Sequence, residues 1–443
     1  MKKHLYILFI LLTTSLFSQQ QKWTLQQCLD YAHKHNLQLK QSQLDIEQAK
    51  INNTGAKAKF LPNLNANASA SWNNGLTQNF TTGVLENQTT FGGNAALSTN
   101  LDIFNGFNNR YNYKKSLLEI LSAEHAFLDI QNNLDVQIVA AYVQILLGKE
   151  NYETTQAQLE NSIRQKNKTE EMINAGVLPT GDLTDAEAQI TNDYLQVIEA
   201  ENSYKLSKLN LAQLLELDDF SSFEIDEALS GLQIDENIKQ QSPEQLFQTA
   251  LNHNEKLKQN QTQEKIAQYQ IKLAQSGKVP SLGAFANINT RYSDRNQMGM
   301  GGVLAPADPF WNQVQDNYGI SYGLSLRIPV FNGFSIRNRV KSAELLAERS
   351  VINTQNAEKK LKNDIYQMYQ DLQASFQRMK AAEANLKAQR KAYNYAMEKF
   401  KVGILNIFDL NTIKTKYVKA ESQYINAKYQ YYLKAKILEF TVN

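Results

Sequence analysis

From Asn63 the chain alternates in character: Leu64, Ala66, Ala68, Ala70 and Trp72 are apolar, and Asn63, Asn65, Asn67, Ser69 and Ser71 between them are polar. A period of two predicts a strand with one apolar and one polar face. The same alternation returns with Ala95, Leu97, Thr99, Leu101 and Ile103 against Asn94, Ala96, Ser98, Asn100 and Asp102. It appears again with Leu282, Ala284, Ala286, Ile288 and Tyr292, and a last time with Ile320, Tyr322, Leu324, Leu326, Ile328 and Val330. The pattern predicts four one-sided strands in two hairpins, spanning 62–105 and 280–331, whose strands are joined by long polar loops.

Elsewhere the period changes to steps of three and four. Between Phe334 and Val402 there is neither glycine nor proline, and Leu361, Ile365, Met368, Leu372, Phe376 and Met379 keep the helical spacing. At about 1.5 Å per residue such a helix reaches about 100 Å. A periodic run of this length reads as a coiled coil or helical assembly. A matching run from Phe107 to Ala175 is expected to be interrupted at Gly148. After the Gly-x-Leu turns at Gly176 and Gly403 a second helix returns in each case, so that long helices fill 107–217 and 334–442.

These elements occur twice. His35-Asn36 recurs at His253-Asn254 and Pro62 at Pro280, both 218 positions on; Gly106 recurs at Gly333 and Gly176 at Gly403, both 227 on. The second copy therefore holds nine extra residues between its proline and its Phe-Asn-Gly-Phe, where a surface loop tolerates insertion. The period is too long for a solenoid, and the chain reads as a duplicated unit. The expected organisation is a first repeat over 19–217, an acidic linker over 218–243 and a second repeat over 244–443.

Residues 1–18, with Lys2, Lys3 and an apolar run from Leu5 to Leu12, read as a cleaved secretory signal. No later stretch approaches the length of a membrane-spanning helix. The one cysteine, Cys28, falls within a helical pattern and reads as a buried thiol in a secreted chain without an internal disulfide. A net charge of +2 gives no reason to expect nucleic acid. There is no phosphate loop, HExxH or GxSxG pattern, and His33 and His35 lie two apart and so on different helix faces. No catalytic residue, cofactor or metal ligand is expected, and the chain is not read as an enzyme.

A secreted chain with one-sided strands fits an outer-membrane β-barrel. Four strands cannot close one, and an open sheet edge in lipid costs several kcal/mol per unsatisfied group. Eight strands in a dimer would have a filled interior; twelve in a trimer would leave a pore, which suits the Asn- and Ser-rich polar face.

This duplicated order of helix, hairpin and helix hairpin resembles the TolC family of outer-membrane efflux channels over nearly the whole mature chain. The residues that carry it are the proline before strands one and three, the Phe-Asn-Gly-Phe of Phe104, Asn105, Gly106 and Phe107 and of Phe331, Asn332, Gly333 and Phe334, and the Gly-x-Leu turns with Asp182 and Asp409 six residues on. The resemblance implies a membrane α/β-barrel: a homotrimer with four β-strands per protomer, making a twelve-stranded barrel in outer-membrane lipid, continuous with a periplasmic helical tunnel. It also implies a periplasmic adaptor and an inner-membrane efflux pump or ABC transporter as partners, and export of small molecules or proteins. On it, Asp409 matches a constricting aspartate, with a helix N-cap as the other reading; Asp182 is read as a cap. The family's second constricting carboxylate falls at Thr412, and its locking Tyr and Arg fall at Phe400 and Leu405. Closure is therefore expected from packing of Phe400, Leu405 and Phe408. Gly176, Val177 and Leu178, with Gly403, Ile404 and Leu405, are the expected adaptor-docking tips. Lys399, Lys401, Lys414, Lys416 and Lys419 read as a solvated basic face. The two Phe-Asn-Gly-Phe phrases read as barrel–tunnel junctions. A periplasmic coiled-coil adaptor is the alternative, and the lipid-facing strands separate the two readings.

Overall fold

The computed structural model describes residues 22–78, 84–218, 223–226, 238, 240–295, 297–298 and 304–442. The expected signal, most of the linker and part of each strand connection lie outside these residues.

The helices are α1 (Leu25–His35), α2 (Leu37–Ala58), α3 (Asn108–Asn174), α4 (Gly181–Leu214), α5 (Pro243–His253), α6 (Glu255–Ser276), α7 (Phe310–Asp316), α8 (Ser335–Lys401) and α9 (Ile407–Val442). The strands are β1 (Asn63–Gln78), β2 (Leu85–Asn105), β3 (Ser281–Ser293), the two-residue β4 (Gln297–Met298) and β5 (Leu304–Ala305), and β6 (Gly319–Arg327). The offsets read from the sequence recur in the elements: α1 and α2 repeat as α5 and α6, 218 residues on, and α3 repeats as α8, 227 on. Even the starts match chemically. Thr24 and Gln27 form a capping box at α1, and Ser242 and Gln245 form one at α5, each satisfying backbone donors that a helix start leaves open.

Contacts group the chain into two compact units that cut across the repeats: one holds 1–45, 124–258 and 355–443, the other 46–123 and 259–354. The first unit is helical and has two main cores. In one, Cys28, Leu29 and Ala32 of α1 pack with Ile138 of α3 and Leu211 of α4; in the other, Leu246, Phe247 and Ala250 of α5 pack with Ile365 of α8 and Leu438 of α9. These are the same positions of the two repeats. Part of the linker joins the first core: Ile225 bridges in parallel to Trp23, and the Tyr142 hydroxyl donates to the Asp226 carbonyl at 2.5 Å. α3 is not interrupted at Gly148. A Cβ there would meet Tyr204 Cα at 3.3 Å, so the glycine serves a close approach of α3 and α4 rather than a break.

The second unit carries an antiparallel sheet in the order β1-β2-β3-β6. Its register gathers the alternating residues onto common faces: Leu64, Ala66, Ala68, Ala70 and Trp72 of β1, Leu97 and Thr99 of β2, Ala284, Ala286 and Ile288 of β3, and Ile320, Tyr322, Leu324 and Leu326 of β6 share one face. The opposite face carries Asn63, Asn65, Ser69, Asn94, Ser98, Asn287, Arg291, Ser321, Ser325 and Arg327. Several expectations fail locally. A bulge between Asp102 and Phe104 sets Phe104, not Ile103, opposite Leu282, because one extra residue reverses the parity of everything after it. β6 ends at Arg327, so Ile328 and Val330 are outside the strand. The connection from β3 to β6, expected as a polar loop, contains α7. This short helix is fastened by buried Gln313, whose side chain bonds Ser293 N and O and the Asp308 carbonyl, and by Thr290 Oγ1 donating to the Val314 carbonyl.

Candidate functional site

Three places concentrate the unusual geometry: the two strand-to-helix junctions of the sheet unit, the two hairpin ends of the helical unit, and a buried polar cluster in the helical unit.

At the junctions Gly106 and Phe107 have φ of 65° and 65°, and Gly333 and Phe334 have 59° and 65°. Two left-handed residues in succession turn the chain from strand to helix, and a bulky Phe rarely takes that conformation. Phe107 O accepts from Tyr111 N and Phe334 O from Asn338 N, each at 2.9 Å, opening α3 and α8. Asn105 Oδ1 accepts from Asn109 N at 3.3 Å and Asn332 Oδ1 from Ile336 N at 3.2 Å, covering one free helix donor apiece. The rings of Phe104 and Phe107, and of Phe331 and Phe334, meet edge to face at 5.3 and 5.7 Å. The two junctions differ in one respect. A Cβ on Gly106 would lie 2.6 Å from the Ser276 carbonyl and 3.0 Å from Val279 Cβ, whereas one on Gly333 would meet nothing within 4 Å.

At the hairpin ends, Gly176 and Gly403 have φ of 76° and 72°. Val177 N donates to Met172 O and Ile404 N to Lys399 O, five residues back, while Gly176 N and Gly403 N reach three back. This is the Schellman ending, which needs a left-handed residue. The turns leave Val177, Val402, Ile404 and Phe408 exposed. Leu178 and Leu405 are half-buried against a small core of Met172, Ala396, Phe400, Ile407 and Leu410. Phe400 is thus 1% exposed, inside the packing of its own chain rather than free to line a passage. The cap of α9 is Asn406, not Asp409: its Oδ1 accepts from Asp409 N at 2.8 Å and its Nδ2 donates to Asp409 Oδ2 at 3.0 Å. Asp409 stays exposed in the first turn. Likewise Thr180 occupies the cap position of α4 and Asp182 lies inside the helix, where desolvation and then the charge of Asp185 raise its carboxyl pKa.

Sequence reading missed the third place. Lys414, expected on a solvated face, is 4% exposed and donates to Asp193 Oδ2 at 2.9 Å and to Ser162 Oγ. Ser162 Oγ donates to the same carboxylate oxygen, and Gln189 Nε2 donates to Asp193 Oδ1 at 2.8 Å. α3, α4 and α9 thus meet at one buried charge pair. The local signal for it is thin, since a lysine four residues after Leu410 resembles any other surface lysine. The two histidines of α1 have separate partners: His33 Nε2 lies 2.6 Å from Asp135 Oδ1, and His35 stacks on Tyr31 at 3.9 Å. Among the described residues no group of three His, Cys, Asp or Glu is placed to hold a metal, and no helix is long and apolar enough to cross a membrane.

A duplicated chain with a one-faced sheet joined to long helices has known relatives. The family model described as Outer membrane efflux protein matches residues 28–216 and 246–441, which is most of the chain. The chain belongs to the outer membrane efflux protein family. Outer membrane protein TolC of Escherichia coli (strain K12) is 25% identical over 97% of this chain and 84% of its own length, and that of Salmonella enteritidis is 24% identical over the same shares. Among solved structures, CusC superposes with a TM-score of 0.80 at 15% identity, covering 95% of this chain and 92% of its own. VceC of Vibrio cholerae gives 0.76 at 17%, covering 95% and 96%. As a member of this family the chain is an outer-membrane efflux channel protein, a transport conduit and not an enzyme. The periplasmic-adaptor alternative falls with that assignment.

Proposed function

We propose that three copies of this chain close a twelve-stranded barrel in the outer membrane and that their helices form a periplasmic tunnel, which exports small molecules or proteins handed on by a periplasmic adaptor and an inner-membrane efflux pump or ABC transporter. The observation that carries this reading is the sheet. It has one apolar face and one polar face, and β1 and β6 are both outer strands with one unpaired side. Such a sheet is stable in lipid only once its edges are paired. Eight strands leave no pore, and twelve do.

Val177, Ile404 and the glycines Gly176 and Gly403 between them form the adaptor-docking tips, because exposed apolar turns mark a contact surface. Phe408 and Asp409, the exposed members of the expected set, face the constriction; Phe400 and Leu405 support them from the hairpin core. The duplicated repeats over 19–217 and 244–443 each supply one strand hairpin and one helix hairpin to the assembly. The test uses full-length protein purified from outer membranes. It should migrate as a trimer and conduct ions in planar bilayers, and Asp409→Asn should lower the cation preference of that conductance. A monomeric, non-conducting protein overturns the channel, and unchanged selectivity overturns the place of the constriction.

A further inference from the structure

Resting on the reading that copies of this chain assemble into one barrel, we propose that β6 pairs with β1 of the next copy in one specified register, in which Leu324 lies opposite Ala70 and Tyr322 opposite Trp72.

The argument uses the duplication as a ruler. The first hairpin pairs Asn63 with Asn100 and the second pairs Ser281 with Arg327. These are the same pair displaced by 218 on one strand and 227 on the other, so the two offsets hold through the strands. The chain also contains one pairing between repeats, β2 with β3, in which Leu97 lies opposite Ile288, Ala95 opposite Thr290, Thr99 opposite Ala286 and Ser98 opposite Asn287. β2 corresponds to β6 and β3 to β1. The same joint made between copies therefore sets Leu324 opposite Ala70, Tyr322 opposite Trp72, Leu326 opposite Ala68 and Ser325 opposite Ser69.

Three observations support this joint. The first is chemical: every mapped pair matches in polarity, and the two aromatics it brings together, Tyr322 and Trp72, are 81% and 73% exposed in the single chain. A slip of one residue would set apolar side chains against the polar face. The second concerns where β6 stops. Within each hairpin the pairing ends at Asn100 or Arg327, yet β2 continues to Asn105 because β3 of the other repeat is there to receive it. In β6 the corresponding residues, 328–332, have no such partner and are not strand, and Val330 is 91% exposed. Val330 is the image of the bulged Ile103. Pro329 falls beside that bulge, where a missing N–H is tolerated. The third is Gly333. Its counterpart Gly106 is hemmed in by Ser276 and Val279, whose images are Ala58 and Leu61. The open space at Gly333 is thus the place for the end of α2 in the next copy.

Because β1 and β6 are different surfaces, the contact is head-to-tail and forms a ring when its rotation closes. Cysteine pairs test it in the full-length protein in outer membranes. Residues directly opposite alternate between two pairing types, and the closer type suits a disulfide. Ser69→Cys/Ser325→Cys and Ala70→Cys/Leu324→Cys sample both. One of them should shift most chains to a covalent trimer on a non-reducing gel. Each single variant should stay monomeric on that gel, and so should Asn65→Cys/Ser325→Cys, displaced by about 13 Å along the strand. Ile51→Cys/Asn338→Cys checks the joint away from the strands, at the image of the Tyr269 and Tyr111 rings that lie 6.4 Å apart. Cys28 is fully buried and does not compete. A native trimer that crosslinks at the displaced pair, or at none of the predicted ones, overturns the register and leaves the channel standing. A protein that is monomeric before oxidation overturns both.

Discussion

Replacing Lys414 with methionine tests whether the buried charge pair holds α4 and α9 together. Both partners are almost removed from water, with side-chain exposures of 5% and 4%. Removing one partner of a buried pair leaves an uncompensated charge and costs about 3–5 kcal/mol. In Lys414→Met the Asp193 carboxylate keeps two neutral donors, Ser162 and Gln189, so the loss should fall near about 3 kcal/mol. In Asp193→Leu the ammonium keeps a hydrogen bond to the Ser162 hydroxyl but has no carboxylate opposite it, and the loss should approach about 5 kcal/mol. The double variant removes both charges and should return to within about 1 kcal/mol of the parent. Hydrogen exchange of backbone amides in α4 and α9, read by mass spectrometry on the native full-length protein, reports local opening without requiring global two-state unfolding. The expected change is roughly a hundredfold faster exchange for Lys414→Met and about a thousandfold or more for Asp193→Leu. Exchange within about tenfold of the parent for both single variants would refute the reasoning. A double variant as open as the worse single variant would show that side-chain shape, not the unpaired charge, sets the cost.

Burial holds the Cys28 thiol near a pKa of about 12, so it should resist maleimide at pH 8 in the folded protein and react fully in denaturant; fast labelling of the native protein contradicts the packing of α1. Glu244 accepts from Gln248 and Tyr366 and pairs with Lys362 at 3.1 Å, and these contacts lower its pKa from 4.5 to about 2. A lowered carboxyl pKa stabilises the fold above the unfolded value and loses that contribution as pH falls through the folded one. Exchange protection at the start of α5 should therefore weaken between pH 4.5 and about 2 and be salt-sensitive, since the group is exposed. Glu244→Gln should remove the dependence, and an unchanged profile in that variant refutes the assignment.

The repeat made much of the fold legible. The long helices were expected over 107–175 and 334–402, and the structure gives Asn108–Asn174 and Ser335–Lys401. Alternation likewise gave the strands and their apolar faces. What stayed hidden was decided by groups distant in sequence. Nothing near Lys414 announces Asp193, more than two hundred positions earlier. Whether Gly148 breaks a helix or admits a neighbour depends on Tyr204. Arg327 ends β6 because its partner strand ends there, a fact about β3. The caps were misread for a more local reason. Asp182 and Asp409 have the right chemistry, but Thr180 and Asn406 occupy the position, and boundaries are least certain within one turn of a helix end.

The alternation of β1, β2, β3 and β6 also bears on how the chain reaches its destination. A newly made chain bound for the outer membrane must first cross the inner membrane, where a sustained apolar segment would be retained as a helix. Here the surface meant for lipid is written on every second residue of these strands, with Asn and Ser between, so the mean hydropathy of each strand stays low. The greasy surface exists only after the strands pair. An extended chain in transit presents no belt for the first membrane to grip, and the folded sheet presents one to the second.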